Sequence, residues 1–309
     1  RQGKLWAPGQ IVTVALNYAA GGDTFASNWS FTVEDYPTLT KSVTEVGSGD
    51  EAGFEFRIIQ TADNLVSGGD EAEDLLAGPR VDNDDNLADP AGGMVSVDTL
   101  RPGIIFHIDG VINMDQDRDD EGVFRQSGEG SSTDRDDSFI PGIPGLDGST
   151  DHMAAEILTY IEFPTAGYFQ MIFNSDEGFR VTEDHGSGDA VGVLLGEFDG
   201  LRLAADTVFG FAVIRPGVYP LRAIWYGGDS EASLEWSSLV GDGRYLINDS
   251  DAEALKAFRT RTGNPVDIEM DGGEGGAIIS VGLSGGQVII EYTGILKSSD
   301  SITGSFNAV

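Results

Sequence analysis

The sequence contains no cysteine in 309 residues. This excludes disulfide bonds, thiolate metal sites and cysteine nucleophiles together. No apolar run approaches the roughly 20 residues that a membrane-spanning helix needs, so we expect no membrane insertion. Basic residues are also scarce, since 18 Lys and Arg stand against 52 Asp and Glu, for a formal charge of -34. Such a charge repels nucleic acid and attracts divalent cations.

The residues that are present are typical of a folded protein rich in turns. Hydrophobic residues make up 40% of the chain, charged residues make up 23%, and glycine occurs 43 times. This composition supports a real core and argues against a disordered chain. Arg1 is not a natural start residue and no signal peptide is recognisable, so we expect a processed chain or a piece of a longer protein.

Short runs of alternating apolar and polar residues dominate the centre of the chain. Examples are "AEILTYIEF", "GYFQMIFNS" and "TVFGFAVI", separated by Gly- and Asp-rich breaks. This pattern predicts an all-β fold, an antiparallel β-sandwich or barrel, over residues 104–248. Within it, residues 217–236 predict a hairpin that turns at Gly227, Gly228 and Asp229.

The segments that precede this region predict smaller elements. Residues 1–37 hold two alternating runs, which predict the terminal strands of an incomplete immunoglobulin-like module. Residues 38–103 predict a linker with one strand over 54–61 and one short helix over 68–78, where acids open the helix and glycine follows its end.

The segments that follow it are also short. Residues 249–276 predict a short helix over 249–262, capped by Asp249 or Ser250, and then a Gly-rich joint. Residues 277–309 alternate again and predict a small C-terminal β meander. A meander of this size is too small to be stable alone, so we expect it to pack on something else.

An acidic loop lies early in the central region. Between Asp109 and Asp137 ten acids stand against three arginines, and Asp115, Asp117 and Asp119 occupy alternate positions. Calcium takes about six to eight hard oxygens, and loops with carboxylates at their first, third and fifth positions supply them. The match is partial, because the sixth position is Asp rather than Gly and the twelfth is Gln rather than Glu. The alternative is a solvated acidic loop.

A second acidic group stands in a turn between two strands. In "FNSDEGFRV" apolar residues surround the adjacent acids Asp176 and Glu177. Asn, Asp and Gly are all turn formers, so a plain β-turn is one interpretation. Two adjacent like charges repel, and a bound divalent cation converts this repulsion into attraction. The pair therefore also predicts a cation site, completed by oxygens from a neighbouring loop.

No arrangement of residues singles out a catalytic centre. The three histidines are scattered. The stretch "GLSGG", residues 282–286, has strands on both sides, whereas a nucleophile elbow needs a strand followed by a helix. Carboxylate pairs suited to glycoside hydrolysis stay open, because acids occur throughout. The pattern around Trp29, Trp225 and Trp236 favours core packing over a sugar-stacking platform. We therefore expect a non-catalytic protein.

Two stretches of the central region resemble a known family. Residues 175–181, "SDEGFRV", and residues 217–236, which contain "GVYPLR" and "ASLEW", are similar to the protective-antigen-type domain, named for the N-terminal fourteen-kilodalton part of anthrax protective antigen. The resemblance covers residues 104–240, in the variant found in large modular secreted proteins of aquatic bacteria. It implies a β-sandwich whose loops bind carbohydrate through calcium. Asp176 matches the first acid of the family's turn, and Glu177 stands where the family has a second Asp.

Three hypotheses for function result. The first is an extracellular, secreted or cell-surface adhesion or assembly module that binds glycans or neighbouring chains, with Ca²⁺ ordering its acidic loops. Its metal ligands would be Asp176 and Glu177 first, and Asp115, Asp117 and Asp119 second. The second is a structural subunit of an extracellular filament or sheath, a homo-polymer assembled by strand addition. The third is an accessory carbohydrate-binding module of a glycosidase.

Overall fold

In this computed structural model, most of the segments in which apolar and polar residues alternate form β-strands. The structure describes residues 11–20, 23–33, 35–40, 42–63, 66–78, 85–116, 121–124, 136–183, 192–229, 232–268, 278–284, 287–292, 297–298 and 307–308. In chain order the elements are β1 (Ile11–Ala20), β2 (Asp23–Thr32), β3 (Thr38–Leu39), β4 (Gly49–Ala52), β5 (Phe54–Gln60), α1 (Gly69–Leu76), β6 (Met94–Val95), β7 (Ile104–Ile108), β8 (Asn113–Asp115), β9 (Met153–Phe163), β10 (Gly167–Ser175), β11 (Phe179–Glu183), β12 (Leu194–Phe198), β13 (Ala205–Val213), β14 (Gly217–Gly227), β15 (Ser233–Val240), β16 (Gly243–Leu246), β17 (Lys256–Arg261), β18 (Ile278–Ser284), β19 (Gln287–Tyr292), β20 (Lys297–Ser298) and β21 (Asn307–Ala308).

The chain divides into two compact units. Tyr36–Asp267 belongs to the larger unit, and the described strands before and after it belong to the smaller one. In the smaller unit β1 pairs antiparallel with β2, from Ile11 opposite Thr32 to Ala20 opposite Asp23. There β18 also pairs with β19, and β20 with β21. These antiparallel pairs occupy the two ends of the chain for which the sequence predicts short β segments.

Two sheets build the larger unit. The six-stranded sheet has the order β16-β15-β10-β13-β3, with β8 also paired to β15. The nine-stranded sheet has the order β12-β11-β14-β9-β5-β7-β6, and β17 joins it by pairing with β9 and β4. Among the described strands of this unit the neighbours run antiparallel, apart from the parallel pair of β13 and β3.

Aromatic side chains from the two sheets meet between them. Phe173 of β10 stacks on Phe179 of β11, with ring centroids 4.3 Å apart. Phe54 of β5 lies 6.1 Å from Trp236 of β15, measured between ring centroids. These four rings and the Trp225 ring are buried, and burial of such large apolar surfaces is the main driving force for the packing of the sheets. The predicted all-β, antiparallel sandwich is confirmed.

The segment 38–103 takes part in both sheets of the larger unit. It supplies β3, β4, β5, α1 and β6, so the strand and the helix predicted there are confirmed. Within it β5 lies between β9 and β7 in the nine-stranded sheet, where Phe56 and Ile58 are fully buried. The stretch 37–53, which the sequence predicts as a linker, carries β3 and β4, and these pair with β13 and β17.

The hairpin predicted over residues 217–236 is wrong. β14 pairs with β9 and β11 in the nine-stranded sheet, whereas β15 pairs with β8, β10 and β16 in the six-stranded sheet. The chain therefore crosses from one sheet to the other between these two strands. β14 does not pair with β15 because all eleven of its residues pair with β9, from Gly217 opposite Phe163 to Gly227 opposite Met153.

The helix predicted over residues 249–262 is also wrong. In its place β17 pairs with β9 and β4, and Phe258 stands opposite both Tyr160 and Ala52. The Thr159 hydroxyl adds a hydrogen bond to the Phe258 carbonyl at 3.2 Å. Backbone groups at the end of β9 need partners, and sheet pairing outweighs the weak intrinsic preference of this segment for a helix. Among the described residues no helix is long and apolar enough to cross a bilayer.

A buried ion cluster ties α1 to the nine-stranded sheet. Glu156 of β9 is fully buried and accepts hydrogen bonds from Arg57 at 2.8 Å, Arg222 at 2.7 Å and Arg101 at 2.6 Å. Arg222 also donates to both carboxylate oxygens of Glu73 on α1, at 2.6 and 2.7 Å. Burial by itself raises the pKa of Glu156, but the three guanidinium charges outweigh burial and lower this pKa to about 2.

Replacement of Glu156 by Gln should destabilise the larger unit by about 3–5 kcal/mol, because Arg57 stays buried without its carboxylate partner. Since the folded pKa of Glu156 is depressed, its stabilisation is complete above the ordinary value of 4.5 and is lost as the pH falls towards 2. Urea denaturation of the parent protein and of E156Q at pH 7 and pH 3 measures the difference in their free energies of unfolding, which should be smaller at pH 3. The exposed Glu253→Gln is the control, and equal stability of E156Q and the parent at pH 7 contradicts the assignment.

Candidate functional site

The turn with the two adjacent acids connects the two sheets. β10 of the six-stranded sheet ends at Ser175, and β11 of the nine-stranded sheet begins at Phe179. The three residues between them are Asp176, Glu177 and Gly178, and we name them the acidic corner. The acidic corner is thus held by strands on both sides of the core.

Three hydrogen bonds fix the backbone of the acidic corner. The Asp176 N–H donates to the Ser233 carbonyl at 3.1 Å, and the Glu177 N–H donates to the Arg202 carbonyl at 2.9 Å. The Trp225 indole N–H donates to the Asp176 carbonyl at 2.9 Å. The three partners come from β15, β14 and the segment between β12 and β13, so distant parts of the chain determine where the two acids lie.

The backbone of the acidic corner is unusual at Glu177. Its φ of 64° lies in the left-handed region, which costs a residue other than glycine on the order of 1 kcal/mol. The Ser175 hydroxyl donates to the Glu177 carbonyl at 2.8 Å and supports this conformation. Gly178 follows because a Cβ atom there would lie 2.0 Å from the Tyr226 hydroxyl oxygen. The backbone of this turn is therefore strained at an acidic residue, which a plain β-turn does not require.

Both acids of the corner are buried. Asp176 is 2% exposed and Glu177 is 7% exposed. Burial raises the pKa of Glu177, a hydrogen bond from the Gly228 N–H opposes this effect, and the nearby charge of Asp229 raises the pKa further. The Glu177 Oε2 atom is buried and has no hydrogen-bond partner among the described residues. The Glu177 carboxylate is thus buried with one oxygen that makes no hydrogen bond, whereas the charge of Arg202 lies near Asp176.

The residues after β14 bring a third acid to the corner. A Cβ atom on Gly228 would lie 3.1 Å from the Glu177 Oε1 atom, so this loop runs directly against the Glu177 carboxylate. The next residue, Asp229, has a side chain that is 77% exposed, and its Oδ1 atom lies 2.5 Å from the His152 Nε2 atom. The His152 N–H donates to the Gly228 carbonyl at 2.9 Å. Asp229 therefore stands at the solvent side of the corner.

The register of the six-stranded sheet brings Asp115 close to the same corner. Asp115 of β8 lies opposite Ser233 of β15, and Ser233 accepts the Asp176 N–H on its other side. Residues opposite each other in antiparallel strands point to the same face of the sheet. Ser233 is 2% exposed, and its hydroxyl oxygen has no hydrogen-bond partner among the described residues. The backbones of Asp115 and Asp176 therefore flank Ser233 on its two sides.

Two of the five predicted metal ligands, Asp117 and Asp119, lie outside the described residues, and their role stays a prediction. In the part of the chain that the structure describes, no three His, Cys, Asp or Glu side chains are arranged to hold a metal ion. Calcium, however, takes about six to eight oxygens and accepts backbone carbonyls and water among them. The role of Asp115, Asp176 and Glu177 as metal ligands therefore also stays a prediction.

A further buried acid holds part of the acidic loop against the six-stranded sheet. Glu235 of β15 accepts the N–H groups of Val123 and Phe124, both at 2.7 Å, and a hydrogen bond from Arg244 at 3.0 Å. Burial is the main cause that raises the pKa of Glu235 to about 7, with a contribution from the charge of Asp137. The hydrogen bonds and Arg244 oppose this shift. Glu235 therefore anchors the loop that follows β8.

The tryptophans separate into two groups. Trp225 and Trp236 are fully buried in the core of the larger unit, which confirms core packing for them. Trp29 of the smaller unit is 48% exposed, so core packing does not describe it. Neither buried ring is available as a sugar-stacking platform.

The sequence shows only the local part of this site. It identifies Asp176 and Glu177, because they are adjacent in one turn. It does not place Asp229 beside them, because the Gly-rich break before Asp229 is interpreted as the tip of a hairpin. It gives no signal for Ser233, which reaches the corner through strand register, or for Arg202, which lies in the segment between β12 and β13. The guanidinium of Arg202 lies 4.1 Å from the Phe198 ring centroid and donates to the Ser175 hydroxyl at 2.9 Å.

Glu177→Gln should raise the melting temperature by about 2 °C at pH 7 in the presence of a chelator. The reason is that burial disfavours the ionised carboxylate, and Gln carries no charge. A raised folded pKa means that the cost is present at higher pH and is relieved as the pH falls through that pKa. The gain should therefore vanish below the ordinary Glu value of 4.5. Melting curves followed by circular dichroism, with Glu253→Gln as control, test this, and a less stable E177Q at pH 7 contradicts it.

Comparison with known proteins gives similarity of structure. No protein-family model and no curated protein matches the chain. The A domain of Epithelial Adhesin 9 from Candida glabrata, in complex with Galb1-3GlcNAc, is similar with a TM-score of 0.45 at 13% identity, over 74% of this chain and 99% of that one. The PA14 sugar-binding domain from an RTX adhesin has a TM-score of 0.39 at 15% identity, over 64% and 96%. The PA14 domain of the MpAFP antifreeze protein has a TM-score of 0.40 at 13% identity, over 70% and 96%. Likenesses at this level assign no function to the chain.

Proposed function

We propose that this chain is an extracellular, non-catalytic adhesion module that binds glycans through a calcium ion held at the acidic corner. The observation that carries the proposal is the burial of two adjacent carboxylates, Asp176 and Glu177, at a strained turn. The resemblance of residues 175–181 to the turn of the protective-antigen-type domain supports the same assignment, because it implies carbohydrate binding through calcium at this turn.

Electrostatics favour a cation at this place. Two unit charges about 4 Å apart interact by about 4 kcal/mol at an effective dielectric constant of about 20. Between two carboxylates this interaction is repulsive, and a divalent ion between them replaces it with two attractions of larger size. Burial, and after it the charge of Asp229, raises the pKa of Glu177, so the ionised Glu177 carboxylate is costly without a counter-charge. A cation would remove that cost and satisfy the buried Glu177 Oε2 atom.

The residues around the corner fit a hard cation in chemical type. Asp176 and Glu177 would hold the ion, and Asp229 would approach it from the solvent side. Ser233 pairs with Asp115 and accepts the Asp176 N–H at its carbonyl, so the Asp115 carboxylate and the Ser233 hydroxyl would be the next oxygens to offer. Calcium takes roughly six to eight oxygen ligands. Where the protein fills only some of these positions, hydroxyl oxygens of a sugar can fill the others. Adhesion through glycan hydroxyls is the activity that such a site supports.

Calcium should stabilise the protein against thermal unfolding. At 100 times the dissociation constant the gain is about 2.7 kcal/mol, which corresponds to about 5–10 °C for a domain of this size. Asp176→Asn should abolish the shift, because it removes one of the two central carboxylates. Asp147→Asn, a substitution at an exposed turn where the side chain accepts the Ser149 N–H, should leave it intact. An unchanged melting curve of the parent protein at millimolar calcium would remove the metal from the proposal.

Retention on immobilised glycans tests the second half of the proposal. The parent protein should bind at least one member of a panel of neutral glycans in calcium and elute with chelator, and D176N should not be retained. Retention that persists in chelator would leave an adhesion module without a calcium requirement. Calcium stabilisation without retention on any glycan would contradict glycan binding and leave a purely structural ion.

Assembly by strand addition is the second candidate function. The observation that favours it is the pairing of β1 and β2, since a two-stranded hairpin is marginal by itself. Ile11 and Trp29 on this hairpin are 69% and 48% exposed. An additional strand from a neighbouring chain would pair with a free edge of such a hairpin. Sedimentation that depends on protein concentration supports this candidate, and a monomer at all concentrations contradicts it.

A further inference from the structure

A concave site lies beside β7, and none of the residues of the acidic corner lines it. Its cavity has a volume of about 390 Å³. The floor and walls combine aromatic rings, proline rings and aliphatic side chains with one carboxylate. The main lining residues are Asp89, Phe106, Phe139, Ile140, Pro141 and Pro144.

The lining offers hydrogen-bond acceptors but few donors. Pro141 and Pro144 have no N–H group. The Ala91 N–H donates to the Asp89 Oδ1 atom at 2.9 Å, and the Ile143 N–H donates to a carbonyl of the same segment at 3.1 Å. The N–H of Asp89 also donates to a lining carbonyl, at 2.9 Å. A ligand that brings only acceptors therefore finds few partners here, and a ligand rich in donors is favoured.

The carboxylate of Asp89 provides the charge for such a ligand. Asp89 is half-buried, and no described Lys, Arg or His side chain forms an ion pair with it. Its Oδ1 atom already accepts the Ala91 N–H. The carboxylate is thus fixed in place by its own turn, while it can still accept a charge-assisted hydrogen bond.

The aromatic rings add a second attraction for a cation. Phe106 is 8% exposed and Phe139 is 54% exposed, and both line the site. A cation near the face of an aromatic ring is attracted by the negative charge density of that face. An aliphatic stem would contact the proline and isoleucine side chains of the lining. The net charge of -34 further raises the local concentration of cations.

We propose that this site binds a primary ammonium group on an aliphatic stem, which is the chemistry of a lysine side chain. An ammonium group carries three donors and no acceptor, and so matches the lining. The partner is therefore a lysine-bearing polypeptide or a free aliphatic amine. This binding is independent of the glycan site and gives the chain a second attachment point.

Nuclear magnetic resonance titration of the full 309-residue chain tests this proposal, with Nα-acetyl-lysine N-methylamide as the probe. Saturable shifts should appear at the amides of Ala91 and Gly142. The norleucine analogue has the same stem without the charge and should bind at least about tenfold more weakly. Two further probes distinguish the two sources: a blocked peptide with a single lysine, and n-butylammonium. If the partner is a polypeptide, the peptide should bind more tightly than n-butylammonium.

Three variants connect the binding to the lining. Asp89→Asn keeps the acceptor for the Ala91 N–H and should weaken the probe about tenfold. Phe139→Leu keeps an apolar side chain but removes the ring, and should weaken it several-fold. Asp98→Asn is the matched control, because Asp98 occupies a similar exposed turn in which it accepts the Leu100 N–H at 2.9 Å. It should leave binding unchanged.

The proposal is overturned by any of three results. The first is equal binding of the norleucine analogue, which would reveal a merely apolar pocket. The second is unchanged binding by D89N, which would separate the charge from the site. The third is the absence of saturable shifts at millimolar probe. Calcium or chelator should not alter the outcome, so failure here is distinguishable from failure of the acidic corner.

Discussion

The cluster around Glu156 is the interaction on which the larger unit depends. Glu156 lies on β9, between β14 and β5, and its carboxylate accepts hydrogen bonds from arginines of both neighbours. Buried charges are tolerated only when they are paired and hydrogen-bonded, so the registers of the three strands are fixed together. Trp225, three residues beyond Arg222 on β14, holds the Asp176 carbonyl. The position of the acidic corner therefore depends on the register that the ion cluster fixes.

The buried carboxylates of Glu156 and Glu177 have opposite electrostatic surroundings. At Glu156 the protein supplies the counter-charges itself, and the pKa falls to about 2. At Glu177 burial dominates, and the pKa is raised. The first arrangement stabilises the fold, whereas the second costs stability and adds a left-handed backbone at Glu177. Unfavourable local features of this kind concentrate where a protein binds something, because the ligand then completes the site.

The sequence predicts the parts of this structure that depend on neighbours in the chain. Alternation identifies β9, β10 and β13, and adjacency identifies Asp176 and Glu177. It identifies β14 as a strand but gives it the wrong partner, because the pairing of β14 with β9 and β11 is a contact between residues distant in sequence. It also fails at Lys256–Arg261, because pairing with β9 and β4 is a tertiary contact. Asp229 and Ser233 join the corner by the same kind of contact, so no local pattern announces them.

The position of β17 has a consequence for how the chain comes to its final form. The Thr260 hydroxyl donates to the Asp50 carbonyl, across 210 positions of sequence. Until β17 emerges from the ribosome, one end of β9 and the whole of β4 lack their neighbour. An open strand edge is a template for wrong partners, and distant pairings form slowly. The nascent unit therefore closes late, because the last of its strands to be synthesised covers this edge.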